Sequence, residues 1–172
     1  MISIQNGNHP AFKIIVKKYL NQAVRVATRI VSNKSIAEEI VQETFLKVWE
    51  RANLWEKRKS KFKTWFFRIL KNACLDFLRK KSLDFTENNQ NIIDASQYNE
   101  INLIEKQTAF IVQKEINNLK QNHKAALIFF YYEGFKIREI AEIIGKSEKA
   151  IESILIQSRK KLKKKLKNHK LL

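Results

Sequence analysis

The stretch Lys61–Lys81, KFKTWFFRILKNACLDFLRKK, places Trp65, Arg68, Asn72, Asp76 and Arg79 three and four residues apart. On a helix, such steps line one face. A large aromatic, two cations and an amide on one face can stack on a base, hold phosphate and read a base edge. A second stripe, Phe66, Ile69, Leu70, Ala73 and Phe77, has the period of a core-facing side. Taken alone, the stretch also fits a plain packed helix with solvated cations.

A second constellation lies near the other end. Phe135–Ile144 reads as a short helix, Gly145-Lys146-Ser147 as a turn, and Glu148–Lys167 as a longer helix ending in lysines. A short helix, a turn with Gly and a longer basic helix form a helix-turn-helix pattern. Its second helix would enter the major groove by its start, where Lys149, Glu152, Ser153 and Ile156 face outward. Arg159, Lys160 and Lys161 follow and suit phosphates. The competing reading is an ordinary αα-hairpin.

Other chemistries find no residues to carry them. His9, His123 and His169 are scattered, with no Cys or carboxylate at ligand spacing. Three glycines cannot build a Gly-rich phosphate loop. Glu38-Glu39 reads as helix-start charge, and Cys74 lacks a local nucleophile signature. The expectation is no active site, no metal and no cofactor.

The elements that must hold these groups are helices. The chain has 172 residues with 3 Gly and 1 Pro, and long stretches carry apolar residues at helical spacing. Met1–Pro10 is polar and predicted to fray. A helix follows to about Val31, built on Phe12, Ile15, Val16, Tyr19, Leu20, Ala23, Val26, Ala27 and Ile30. Ser35-x-x-Glu38 reads as a capping box starting a helix to about Ala52. Asn53–Ser60 is a loop. In the other half, Ile104–Leu119 and Gln121–Glu133 read as helices, the latter with Ala125, Leu127, Ile128, Phe130 and Tyr131 inward.

Charge divides the chain into parts. Net charge is +17, from 34 basic and 17 acidic residues, which points to an anionic partner. Residues 82–106 depart from this, with five acidic residues and one basic. The polar run Ser82–Glu100 reads as a flexible linker, long enough that the two basic ends need not touch. The expected fold class is all-α, with two small helical domains joined by an acidic linker: 1–81, the linker 82–106, and the helix-turn-helix domain 107–172. No signal peptide or spanning segment is visible, and the one cysteine suits a reducing compartment, so a cytoplasmic protein without membrane insertion is expected.

Several runs in order carry a resemblance. The N-terminal half holds EEIVQETFLKVW (38–49), FKTWFFRILKNA (62–73) and DFLR (76–79). The C-terminal half holds YEGFKIREIA (132–141), GKS (145–147) and AIES (150–153). Together they resemble the two conserved regions of bacterial RNA polymerase sigma factors of the extracytoplasmic-function (ECF) type.

The resemblance implies an alternative sigma factor that directs core polymerase to promoters and opens DNA. It assigns core-polymerase binding to Gln42, Glu43, Phe45, Leu46 and Trp49. It assigns −10 recognition to the loop Asn53–Ser60 with Trp65, Arg68, Asn72 and Arg79. It assigns −35 recognition to Lys149, Glu152 and Ser153, with Arg159 on phosphate. The implied partners are the β′ and β subunits of the polymerase core, promoter DNA and, as often in this family, an anti-sigma factor; the protein itself would be a monomer. Three positions depart from the family pattern: Leu119-Lys120 replaces Leu-Pro, Lys136 replaces a capping Ser, and Lys149-Ala150 replaces Gly-Thr or Gly-Ala. Glu152 can accept from cytosine but repels phosphate, so the common −35 sequence is not expected to transfer. Two other readings are a free-standing dimeric helix-turn-helix regulator and an amphipathic membrane-surface module.

Overall fold

The computed structural model describes residues 2–58, 60–84 and 103–168, with side chains described over 2–58, 60–82 and 109–167. The described residues form eight α-helices and no strand. α1 (Ile2–Gln5) and α2 (His9–Val31) meet at Asn8, whose side chain accepts from Ala11 N at 2.8 Å and caps α2. The amino-terminal segment is docked rather than frayed. Ile4 is buried, and Gln5 Nε2 donates to the carbonyls of Ala52 (2.9 Å) and Trp55 (3.1 Å). An apolar residue between polar ones is too weak a pattern to announce that docking.

Ser32 ends α2 in the left-handed region at φ 59°, and its N–H bonds back to Thr28 O. α3 (Lys34–Glu50) then starts one residue before the expected capping box. Asn33, not Ser35, is the cap: its Oδ1 accepts from Ile36 N at 3.0 Å. Glu38 lies 4.0 Å from Lys34 instead. A single 3-10 turn at Ala52–Leu54 leads toward α4 (Phe62–Asp84), which runs unbroken as its composition predicts.

The linker expected over 82–106 falls mostly outside the described residues. α5 (Leu103–Asn117) opens the second half, followed by α6 (Gln121–Leu127) and a π-helical turn at Ile128–Tyr132. The wider turn changes which side chains point inward. Phe129 is fully buried, whereas Tyr131, expected inward, is 52% exposed. Gly134, at φ 66°, reverses the chain where a side chain would be strained. α7 (Ile137–Ile144) and α8 (Glu148–Asn168) complete the helix-turn-helix, with Gly145 at φ 77° between them. Ser147 Oγ accepts from Ala150 N at 3.2 Å and caps α8.

The two halves share one core. Phe67 of α4 meets Phe129 edge-on at 6.0 Å and Phe135 at 5.1 Å. Polar contacts surround this junction. The Glu133 side chain, only 2% exposed, accepts from Gln22 (3.1 Å), Arg25 (3.5 Å) and Arg29 (3.4 Å), all on α2. The buried Lys124 donates to Ile30 O at 2.7 Å, in the last turn of α2. That turn carries the negative end of the helix dipole, so a cation there is favoured. Burial still pushes the Lys124 ammonium down to about 8 from its ordinary 10.5. The expectation of basic ends that need not touch therefore misses a docking surface assembled from residues more than 60 positions apart.

Candidate polymerase and promoter interface

α4 is gripped from two sides. Phe66 packs toward Phe45 (5.0 Å) and Tyr19 (5.6 Å) within the first half. Phe67, one position on, packs toward the second half, and Leu70 and Cys74 are fully buried with it. The predicted stripe is thus real but incomplete: Ile69, Ala73 and Phe77 are only half-buried. Burial lifts the Cys74 thiol to about 12, so no nucleophile forms there at neutral pH.

What remains outward on α4 is a narrow polar strip. Arg68, Asn72, Asp76 and Arg79 are all exposed. Arg79 Nη2 pairs with Asp76 Oδ1 at 3.1 Å, but both side chains are more than half exposed, so the pair is weakly held. Trp65 does not belong to this strip. It is 8% exposed and packs beside Phe62 at 5.9 Å, so it lies beneath the strip rather than offering a free ring. Six residues further on, Lys71 is buried, and its ammonium is pushed below the usual range by burial and by the Arg68 charge, opposed by Asp76.

The loop before α4 holds a group that sequence reasoning passed over. Trp55 Nε1 is the single buried side-chain nitrogen or oxygen among the described residues with no hydrogen-bond partner. Its ring meets Phe62 edge-on at 6.3 Å. A buried unmet donor costs about 1–3 kcal/mol. Its only sequence signal was a Trp within a charged loop.

On α3, Gln42, Glu43 and Leu46 are exposed, Leu46 at 61%. Phe45, predicted with them, is buried against Phe12 and Phe66; the helical step from 42 and 43 turns it inward. Trp49 is half-buried, stacked on His9 at 4.5 Å. A groove lined by Leu20, Val24, Glu38 and Gln42 runs between α2 and α3 beside this face.

On α8, Lys149, Glu152, Ser153, Ile156 and Arg159 are exposed, as predicted. Ile151, Ile154, Leu155 and Ser158 turn inward. Ser158 Oγ donates to Ile154 O at 2.6 Å and so accepts from His123 Nδ1 at 2.9 Å. The buried Ser158 hydroxyl is thereby satisfied on the packing face. The Lys136 departure is compensated in part: Glu139 accepts from Lys136 N at 3.0 Å, which meets one free donor at the start of α7. The described residues contain no group of three or more His, Cys, Asp or Glu able to hold a metal. No helix among them is long and apolar enough to cross a membrane.

Known proteins match this arrangement. Residues 15–83 match the Sigma-70 region 2 family, and residues 109–162 match Sigma-70, region 4. The ECF RNA polymerase sigma factor SigM of Bacillus subtilis is 27% identical over 154 residues, which cover 87% of this chain and 91% of SigM. The ECF RNA polymerase sigma-E factor of Haemophilus influenzae is 27% identical over 176 residues, covering 95% and 91%. Among solved structures, the sigma factor RpoE in complex with the anti-sigma factor NepR, from Bartonella quintana, aligns with a TM-score of 0.71. It is 27% identical and covers 91% of this chain and 97% of that one. CnrH in complex with the cytosolic domain of CnrY shares the fold, with a TM-score of 0.74 and 20% identity over 97% of this chain and 94% of that one. A free-standing helix-turn-helix regulator leaves the first match without a role. With region 2 and region 4 matched in order across most of its length, the chain belongs to the bacterial RNA polymerase sigma factors of the extracytoplasmic-function subfamily.

Proposed function

We propose that the chain is an alternative sigma factor whose surfaces divide the work of promoter recognition. The α3 face with Gln42, Glu43, Leu46 and the edge of Trp49 binds core polymerase, chiefly its β′ subunit; other contacts fall on β. The loop ahead of α4 and the strip Arg68, Asn72 and Arg79 engage the melted −10 strand. Phe45 and Trp65 act from below, fixing the helices on which those groups stand. Lys149, Glu152 and Ser153 read the −35 element, with Arg159 on phosphate. The protein works in the cytoplasm as a monomer, as a specificity subunit rather than an enzyme. An anti-sigma factor is its expected inhibitor.

The observation that carries this reading is the pair of matched sigma regions, each with an exposed polar strip on a packed helix. The chemistry of the strips agrees with their assigned tasks. Guanidinium groups and an amide suit a separated strand, whose phosphates and base edges are accessible. A helix start with a carboxylate and a hydroxyl suits base edges in a duplex groove. The test mixes the purified chain with core enzyme and runs transcription from genomic fragments. A stable complex and discrete transcripts are expected. Failure to bind core at low salt would overturn the proposal. Promoter affinity should also fall steeply with salt, since phosphate contacts release counterions.

A further inference from the structure

Where the halves meet, a cavity of about 480 Å³ opens between the loop ahead of α4 and the start of α7. Lys57, Arg58 and Lys61 line it from the first half, Lys136 and Arg138 from the second. Two carboxylates share the lining, and both are engaged. Glu142 accepts from Thr64 Oγ1 at 3.0 Å and lies 3.8 Å from Arg138 Nε. Glu139 is held by Lys136 N. None of Lys57, Arg58, Lys61 and Lys136 has a carboxylate partner among the described residues.

Five cations against two carboxylates leave the cavity strongly positive. Each exposed cation alone contributes little. A multivalent anion gains from several at once, and guanidinium groups bind phosphate oxygens in pairs. The size suits a small ligand. No aromatic ring lines the cavity, so nothing there would stack on a base.

We propose that this cavity binds a polyphosphate chain, and that the bound anion clamps the two halves together. Cations from both halves must be present at once, so binding and docking are linked and each strengthens the other. Like charges facing across the gap repel one another until the anion arrives. One consequence rests on the proposed promoter function: Lys57, Arg58 and Lys61 belong to the −10 region, so a clamped polyphosphate opposes promoter engagement. The binding itself does not depend on that reading.

Calorimetric titration of the full chain with inorganic tripolyphosphate, at ionic strength held constant with KCl, tests the clamp. Saturable one-to-one binding is expected. The pairs Arg58→Gln with Lys61→Gln, and Lys136→Gln with Arg138→Gln, should each weaken it roughly tenfold or more, as lost charge-assisted bonds imply. Circular dichroism checks that each variant remains helical. A third pair, Lys163→Gln with Lys164→Gln on the exposed end of α8, should leave binding unchanged. Equal weakening by that third pair means diffuse charge attraction and overturns the site. An effect confined to one of the first two pairs overturns the clamp. Equal affinity for sulfate overturns the choice of ligand. ATP distinguishes the source: affinity matching tripolyphosphate supports recognition of the chain, and much tighter binding overturns it in favour of a base-reading site. Run-off transcription in parallel tests promoter function separately, so its failure with intact titration leaves the clamp standing.

Discussion

α4 and α8 are long basic helices that carry the proposed DNA-binding strips, and they are held differently. α4 buries Phe66 against one half and Phe67 against the other, which leaves only a strip exposed. α8 buries one side and exposes the rest of its length. A helix held on two sides has less freedom to change, because most of its positions serve packing. A helix held on one side can vary its outward residues at small cost to the fold. The departures Lys149 and Glu152 lie on α8, the freer of the two.

The sharpest way to break this comparison is Phe67→Ala. A fully buried Phe costs about 3–5 kcal/mol when truncated, and here it should destabilise both halves together. Urea unfolding should shift as one transition; unchanged melting of the C-terminal half would show that α4 is not shared. Trp65→Ala is expected to behave similarly, since the ring is buried. Core binding and promoter opening should then fall together. Selective loss of opening with unaltered stability would return Trp65 to the exposed strip.

Docking has its own probes. Glu133→Gln removes the charge that Gln22, Arg25 and Arg29 enclose, and should cost roughly 1–3 kcal/mol. Hydrogen exchange in α2 and α7 should rise; unchanged protection would contradict a role for Glu133 in docking. Lys124 sets a pH dependence for its own contact with Ile30 O at the end of α2. Its ammonium titrates near 8 when docked and near 10.5 when free, so the docked form sheds its proton first. Stability should therefore increase as pH rises through 8, by roughly 2 kcal/mol up to about pH 9.5. The neighbouring Cys74 thiol, lifted to about 12, stays neutral throughout. Lys124→Met should flatten the rise, and a slope that survives the substitution assigns it elsewhere.

On α8 the expected effects are smaller. Glu152→Lys should leave stability within about 0.5 kcal/mol, as surface changes usually do. Non-specific duplex affinity should increase several-fold and −35 preference should change. An identical promoter profile would mean that Glu152 does not face the groove.

Much of the helical architecture was legible in the sequence, because local rules govern it. Few glycines, one proline and apolar residues at helical spacing predict α2, α4 and α8 closely. Ser147 and Gly145 mark the helix-turn-helix turn by their own chemistry. Local rules failed where two signals competed, as when Asn33 capped α3 in place of Ser35. They failed again where the π-helical turn shifted the phase and exposed Tyr131.

The proposed binding strips were partly legible. Arg68, Asn72, Arg79, Lys149, Glu152, Ser153 and Arg159 lie outward, where periodicity placed them. Phe45 and Trp65, assigned to binding by the resemblance, are buried, since aromatic rings satisfy a packing pattern and a contact pattern equally well. Sequence by itself determined the helices, the charge and the two recognisable halves, since these depend on neighbours a few residues apart. Tertiary structure alone decided that Phe67, Glu133 and Lys124 join the halves. Such contacts depend on which side of a helix meets a partner distant in the chain, and one-dimensional spacing does not record that.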